Sequence, residues 1–119
     1  MADFTRPPDG GWETPAGYPA GITSKLLADD LDEGSRTGHR THLLRFGRGV
    51  FTTDPFVHSH WEEVLLIEGD LAVGSDENGL GGHRVVPLSF VRRPPGEPHG
   101  PFSSQQGCLL LEIHYYRCR

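Results

Sequence analysis

The stretch HSHWEE, residues 58–63, puts two histidines and two glutamates directly before the apolar run VLLIEGDL. Imidazole and carboxylate are costly beside a core unless they are paired or bind an ion. On an extended chain side chains alternate, so His58, His60 and Glu62 share one face, which Val64 and Leu66 continue. Trp61, Glu63, Leu65 and Ile67 take the other face. Two imidazoles and a carboxylate spaced about 7 Å apart along a strand converge on one ion where the strand curves. A further ligand must come from elsewhere. His99 is the best candidate, because it follows PPGEP, a turn that holds an imidazole in a fixed direction. An open site of three or four such donors suits one divalent metal ion and leaves room for water, substrate or oxygen. The bland alternative is a polar strand end with solvated histidines, and spacing alone leaves both open.

Other polar residues have weaker claims. In the last hydrophobic run Leu109, Leu111, Ile113 and Tyr115 form the expected core face. Glu112 and His114 lie on the opposite face with Cys108 and Leu110. They point to solvent or to a dimer surface, or else they line a barrel mouth as proton-transfer groups. Arg92 and Arg93 precede the His99 turn, and Arg93 is a candidate for holding a substrate carboxylate or enolate. Phe51, Phe56, Phe90 and Phe102 flank the ligand segments and are candidates for a water-excluding pocket, or ordinary core. His39, His42 and His83 show no ligand spacing.

The elements that must position these groups read as short strands. ITSKLLA (22–28), THLLRF (41–46), EEVLLIEG (62–69), HRVVPLSFV (83–91, one or two strands around Pro87) and GCLLLEIHYY (107–116) carry the signal. DLAVGS (70–75) reads as the hairpin partner of 62–69. Sixteen glycines and ten prolines in 119 residues mark tight turns, and no segment shows a convincing helical period. At least seven strands at close spacing predict an all-β sandwich or barrel over residues 22–119. Residues 1–21 form a Pro/Gly-rich arm that is either a mobile tail or pinned by Trp12 and Tyr18.

Composition excludes several classes. A net charge of −5 argues against nucleic acid as a partner. Two cysteines are too few for a disulfide scaffold. Without an apolar run of membrane length or a signal-peptide pattern, a soluble cytoplasmic protein with no membrane partner is expected.

The stretch from Gly49 to Tyr116 resembles the cupins, small double-stranded β-helix (jelly-roll) barrels. Their first motif holds H-x-H, then a glutamate, then six residues and a glycine; His58-Ser59-His60, Glu62 and Gly69 supply these. The second motif holds P-x-G-x-x-H, which Pro94-Pro95-Gly96-Glu97-Pro98-His99 matches at every fixed position. The resemblance implies metal ligands at His58, His60, Glu62 and His99. More narrowly, segments across residues 21–116 are similar to ChrR-like cupins, which include an anti-sigma-factor zinc domain, and to three-histidine dioxygenases that cleave β-diketones. Four departures stand out. Only Trp61 separates His60 from Glu62, where the family has three or four residues. Leu88 and Ser103 replace a glycine and an asparagine of the second motif, and Gly49 lies far ahead of His58. The short spacing leaves two ligand sets open: three histidines alone, or three histidines with Glu62. Glu63 is a fallback carboxylate of the wrong parity.

The implied function is a mononuclear non-haem iron dioxygenase acting on a small ketone, β-diketone or phenolic compound. Fe(II) is favoured as the ion, with Zn(II), Mn(II) or Ni(II) as alternatives. The other readings are a zinc-binding sensor without catalysis and a redox-neutral isomerase, cyclase or lyase. A homodimer is expected, packing through the outward face of Trp61, Leu65 and Ile67.

Overall fold

The computed structural model describes residues 2–117. Nine strands and no helix occur among them: β1 (Ile22–Asp29), β2 (His39–Phe46), β3 (Val50–Phe51), β4 (Trp61–Gly69), β5 (Leu71–Val73), β6 (His83–Val85), β7 (Phe90–Arg93), β8 (Phe102–Ser104) and β9 (Cys108–Tyr115). Five strands form an antiparallel sheet in the order β1-β2-β9-β4-β7, and four form a second in the order β3-β8-β5-β6. The chain is therefore all-β, as its turn-rich sequence predicts. No helix among the described residues is long and apolar enough to cross a membrane.

The core joins the two sheets. Ile22, Leu44, Phe46, Val64, Leu66, Cys108 and Leu110 come from the larger sheet and Leu71 from the smaller, with Tyr18, Val50, Val85 and Phe102 packed against them. Register sorts the inward face of the larger sheet into rows. Phe46 lies opposite Cys108, and Leu44 opposite Leu110, which faces Leu66 on its other flank. Further along, His42 lies opposite Glu112, which faces Val64. Glu62 lies between His114 on β9 and Arg93 on β7. One end of the interior is thus apolar and the other ionisable.

Three expectations need correcting. First, β9 buries Cys108, Leu110, Glu112 and His114 and leaves Leu109, Leu111, Ile113 and Tyr115 only half-buried. Apolar count favours the second set. The first set wins because its two polar members are paired with one another and with groups on β2 and β4, which removes the penalty of burying them. Second, β5 does not fold back on β4 as a hairpin; it pairs with β6 and β8 in the other sheet. The chain breaks direction at Gly69, whose φ of +90° suits glycine. A Cβ there would collide with the carbonyl oxygen of Gly107. Asp70 fixes the corner by accepting hydrogen bonds from the Gln105 and Gln106 backbone N–H groups and the Ser104 hydroxyl. Third, β4 begins at Trp61, so His58 and His60 lie on the loop before it and not on the strand itself.

The N-terminal arm is docked. Glu13 exchanges two backbone hydrogen bonds with Ser24 of β1, and Gly47 N–H donates to the Gly21 carbonyl at 2.8 Å. Trp12 lies under the Arg45 guanidinium, 3.9 Å from ring centre to Cζ.

Candidate metal centre

Two loops and one strand bring the donors together. Phe56 and His99 exchange backbone hydrogen bonds of 2.7 and 3.0 Å, and Gly96 N–H donates to the His58 carbonyl at 2.9 Å. These bonds clamp the 52–60 loop onto the PPGEPH turn and set His58 beside His99. Glu62, on the inward face of β4, completes the group. Its Oε2 lies 3.6 Å from His58 Nε2 and its Oε1 lies 3.5 Å from His99 Nε2. One donor atom from each of the three lies within 4.8 Å of the others. The carboxylate whose reach the short spacing puts in question therefore converges with His58 and His99.

His60 stands apart. Its ring is buried between those of His58, 4.7 Å away, and His114, 4.2 Å away. Its Nδ1 faces the Trp61 carbonyl at 3.1 Å. Neither of its nitrogens belongs to the convergent group.

A second group lies one row deeper. His42 Nε2 is 3.1 Å from Glu112 Oε1, and His114 Nε2 is 3.4 Å from the same oxygen. His114 Nε2 also reaches Glu62 Oε2 at 3.1 Å. On the other side, Arg93 Nη1 donates to Glu62 Oε1 at 2.8 Å, a charge-assisted bond between half-buried and buried partners. The result is one continuous network from His42 through Glu112, His114 and Glu62 to Arg93.

Burial and charge set the protonation states. Burial pushes His58 down to about 4 against the pull of Glu62, so it is a neutral imidazole. Burial, helped by His114, also lowers His60. Burial opposes the charge on His114 as well. There the hydrogen bonds to Glu112 and Glu62 outweigh it and lift the group to about 9, an imidazolium at neutral pH. Burial would raise both carboxylates, but the same bonds hold Glu62 and Glu112 below the usual range. His58 Nε2 is buried without a hydrogen-bond partner. A neutral imidazole with an unused buried nitrogen, beside an ionised carboxylate and a second imidazole, fits a divalent first-row ion. His99 Nδ1 lies 3.3 Å from the Glu97 carbonyl, which points Nε2 at the other donors in the manner of an outer-shell contact to a metal-binding histidine.

Of the other sequence candidates, Phe56 and Phe102 line a narrow inner pocket with Glu62, Arg93, His99 and Glu112. Phe90 does not: it pairs with Leu65 on the outward face of the sheet and is 59% exposed. Phe51 is also excluded, since it stands on the face of β3 opposite the core-packed Val50 and packs against Gly79. An open groove of about 1020 Å³ leads in from outside, lined by His42, His58, His60, His114 and the arm from Pro7 to Tyr18. Two site residues escape the sequence reading. His42 was legible in principle, because it alternates with Leu44 and Phe46 on the core face of THLLRF. Tyr18 lies in a segment with no periodicity.

No family model and no curated protein matches the sequence. Solved structures do match the fold. An acetylacetone dioxygenase from Acinetobacter johnsonii aligns over 97% of this chain and 74% of its own at 19% identity, with a TM-score of 0.70. The polyketide cyclase RemF from Streptomyces resistomycificus aligns over 96% of this chain and 79% of its own at 23% identity, with a TM-score of 0.72. An RmlC-like cupin from Shewanella frigidimarina aligns over 98% and 93% at 14% identity, with a TM-score of 0.70. The fold is that of the cupin superfamily.

Proposed function

We propose that the chain is a mononuclear metal-dependent enzyme for a small oxygen-bearing organic molecule, and that it is an iron(II) dioxygenase of a ketone, β-diketone or phenolic compound. One observation carries this reading: His58, Glu62 and His99 converge at the junction of an aromatic inner pocket and an open groove. These three would hold the ion, with His60 beside them. Bound there, iron(II) supplies Lewis acidity toward an enolate oxygen and redox chemistry toward dioxygen. The chain's own residues do the rest. Arg93 holds the Glu62 carboxylate in place. Phe56 and Phe102 keep the inner pocket dry. The His114 imidazolium presents a proton at Nε2, between Glu62 and Glu112. The shared fold of an acetylacetone dioxygenase, an enzyme named for a β-diketone, supports the substrate class.

A redox-neutral cyclase, isomerase or lyase is the second reading. It is favoured by His114, a buried acid held charged at neutral pH, and by the fold shared with a polyketide cyclase. The test is metal analysis of anaerobically purified protein, followed by oxygen uptake with a panel of β-diketones and phenols. Stoichiometric iron with substrate-dependent oxygen uptake is the expected result. Product formed equally without oxygen would move the assignment to the redox-neutral reading. Tightly bound zinc with no turnover in either atmosphere would sink both and leave a metal-binding domain.

A further inference from the structure

The arm brings a polar group to the site that no strand supplies. Tyr18 N–H donates to the Pro15 carbonyl at 3.1 Å, Ile22 N–H to the Pro19 carbonyl at 3.3 Å, and Gly47 N–H to the Gly21 carbonyl at 2.8 Å. The segment is thus fixed at both ends. The Tyr18 ring stacks on Phe56, with centroids 4.8 Å apart and planes at 23°. Phe56 in turn faces His58 at 6.4 Å and His99 at 6.0 Å. Tyr18 is therefore one ring removed from two of the three convergent donors. It lines the outer groove with His58 and His114, and also the inner pocket with Glu62 and His99. It stands where the two cavities meet.

The hydrogen bonds of the site run from His42 to Glu112, from His114 to Glu62 and from Arg93 to Glu62, and Tyr18 takes no part in them. Burial, together with the charges of Glu112 and Glu62, keeps its phenol protonated. If the residue served only to cover the core, phenylalanine would do, as Phe56 and Phe102 do beside it. A protonated hydroxyl outside the network, at the junction of two cavities, is a donor available to a ligand oxygen.

We infer that Tyr18 is a substrate-binding residue of the arm, its hydroxyl donating a hydrogen bond to a carbonyl or enolate oxygen of the molecule held at His58, Glu62 and His99. The inference rests on the metal-enzyme reading above. It also gives the arm a function: without the segment from Pro7 to Tyr18 the site lacks its outer wall and this donor.

The test uses zinc-loaded protein, in which oxygen chemistry does not turn over. Wild type and Tyr18→Phe are titrated calorimetrically with acetylacetone and with catechol, and the zinc content and Tm of each protein are measured. Phenylalanine keeps the stack on Phe56, so both controls stay at wild-type values. Affinity for the probe that binds falls about tenfold, the effect of one lost hydrogen bond to a charged oxygen. Equal affinity in the two proteins overturns the role of Tyr18 and leaves the enzyme reading intact. A wild type that takes up zinc but binds neither probe overturns the proposed substrate class and this inference together.

Discussion

At the scale of single residues, the site separates donors that converge from donors that merely crowd. His58, Glu62 and His99 point nitrogen or oxygen at a common space, while His60 is held by its neighbours' rings and the Trp61 carbonyl. Single replacements should divide the same way. His58→Ala, Glu62→Ala and His99→Ala each lose stoichiometric metal after dialysis. His60→Ala keeps the stoichiometry and binds more weakly. Inductively coupled plasma analysis of the dialysed proteins checks this, and a metal-free His60→Ala would make His60 a full ligand. The sequence carried His99 well, because the proline and glycine positions of its turn are specific. It carried Glu62 by parity and by the first cupin motif but left its reach open, since no spacing rule says which way a carboxylate leans once Arg93 and His114 compete for it.

At the scale of elements, β4 and β9 show what periodicity reveals and what it hides. Both alternate, and on β4 the apolar Val64 and Leu66 mark the inward face correctly. On β9 both faces hold aliphatic residues, and the apolar count pointed to the wrong one. Partners on two other strands decided it. His42 and Glu62 pair with the polar members of β9, and neither pairing is visible in the β9 sequence alone. The corner after β4 escaped for a similar reason. A short apolar run after a glycine reads as a hairpin, whereas Gly69 here sends the chain into the other sheet. Gly69→Ala forces a side chain into a positive-φ position against the Gly107 carbonyl. The expected loss is about 1–3 kcal/mol, read as a lower urea midpoint with an unchanged slope. A midpoint equal to wild type would mean that the corner tolerates a Cβ.

At the scale of the whole molecule, the interior is graded from aliphatic rows at one end to an ionisable network at the other, and stability should follow pH accordingly. In the metal-free protein His114 keeps its proton up to about 9, while the unfolded chain releases it near the ordinary histidine value of 6.5. Its contribution is full below pH 6.5 and is lost as pH rises through about 9. His58 acts at the other end. Held down to about 4, it refuses a proton that the unfolded chain accepts below 6.5, so stability also falls as pH drops from 6.5 toward 4. Denaturation midpoints of metal-free protein should therefore peak near the middle of this range. His114→Gln should flatten the alkaline limb. An alkaline limb identical to wild type would assign it to other groups.

The two parts of the donor set differ in how firmly they are held. Glu62 is fixed on β4, which is hydrogen-bonded along β7 on one flank and β9 on the other. His58 and His99 sit on loops joined to each other by three backbone bonds. Opening those bonds would swing two donors away without disturbing either sheet. Metal exchange can then proceed by a local excursion, far below the free energy of global unfolding. Substitutions at the exposed residues 53–55 should accordingly change how quickly an ion is traded while leaving the melting of the barrel unaltered. The residence time of the metal would then evolve independently of the fold that carries it.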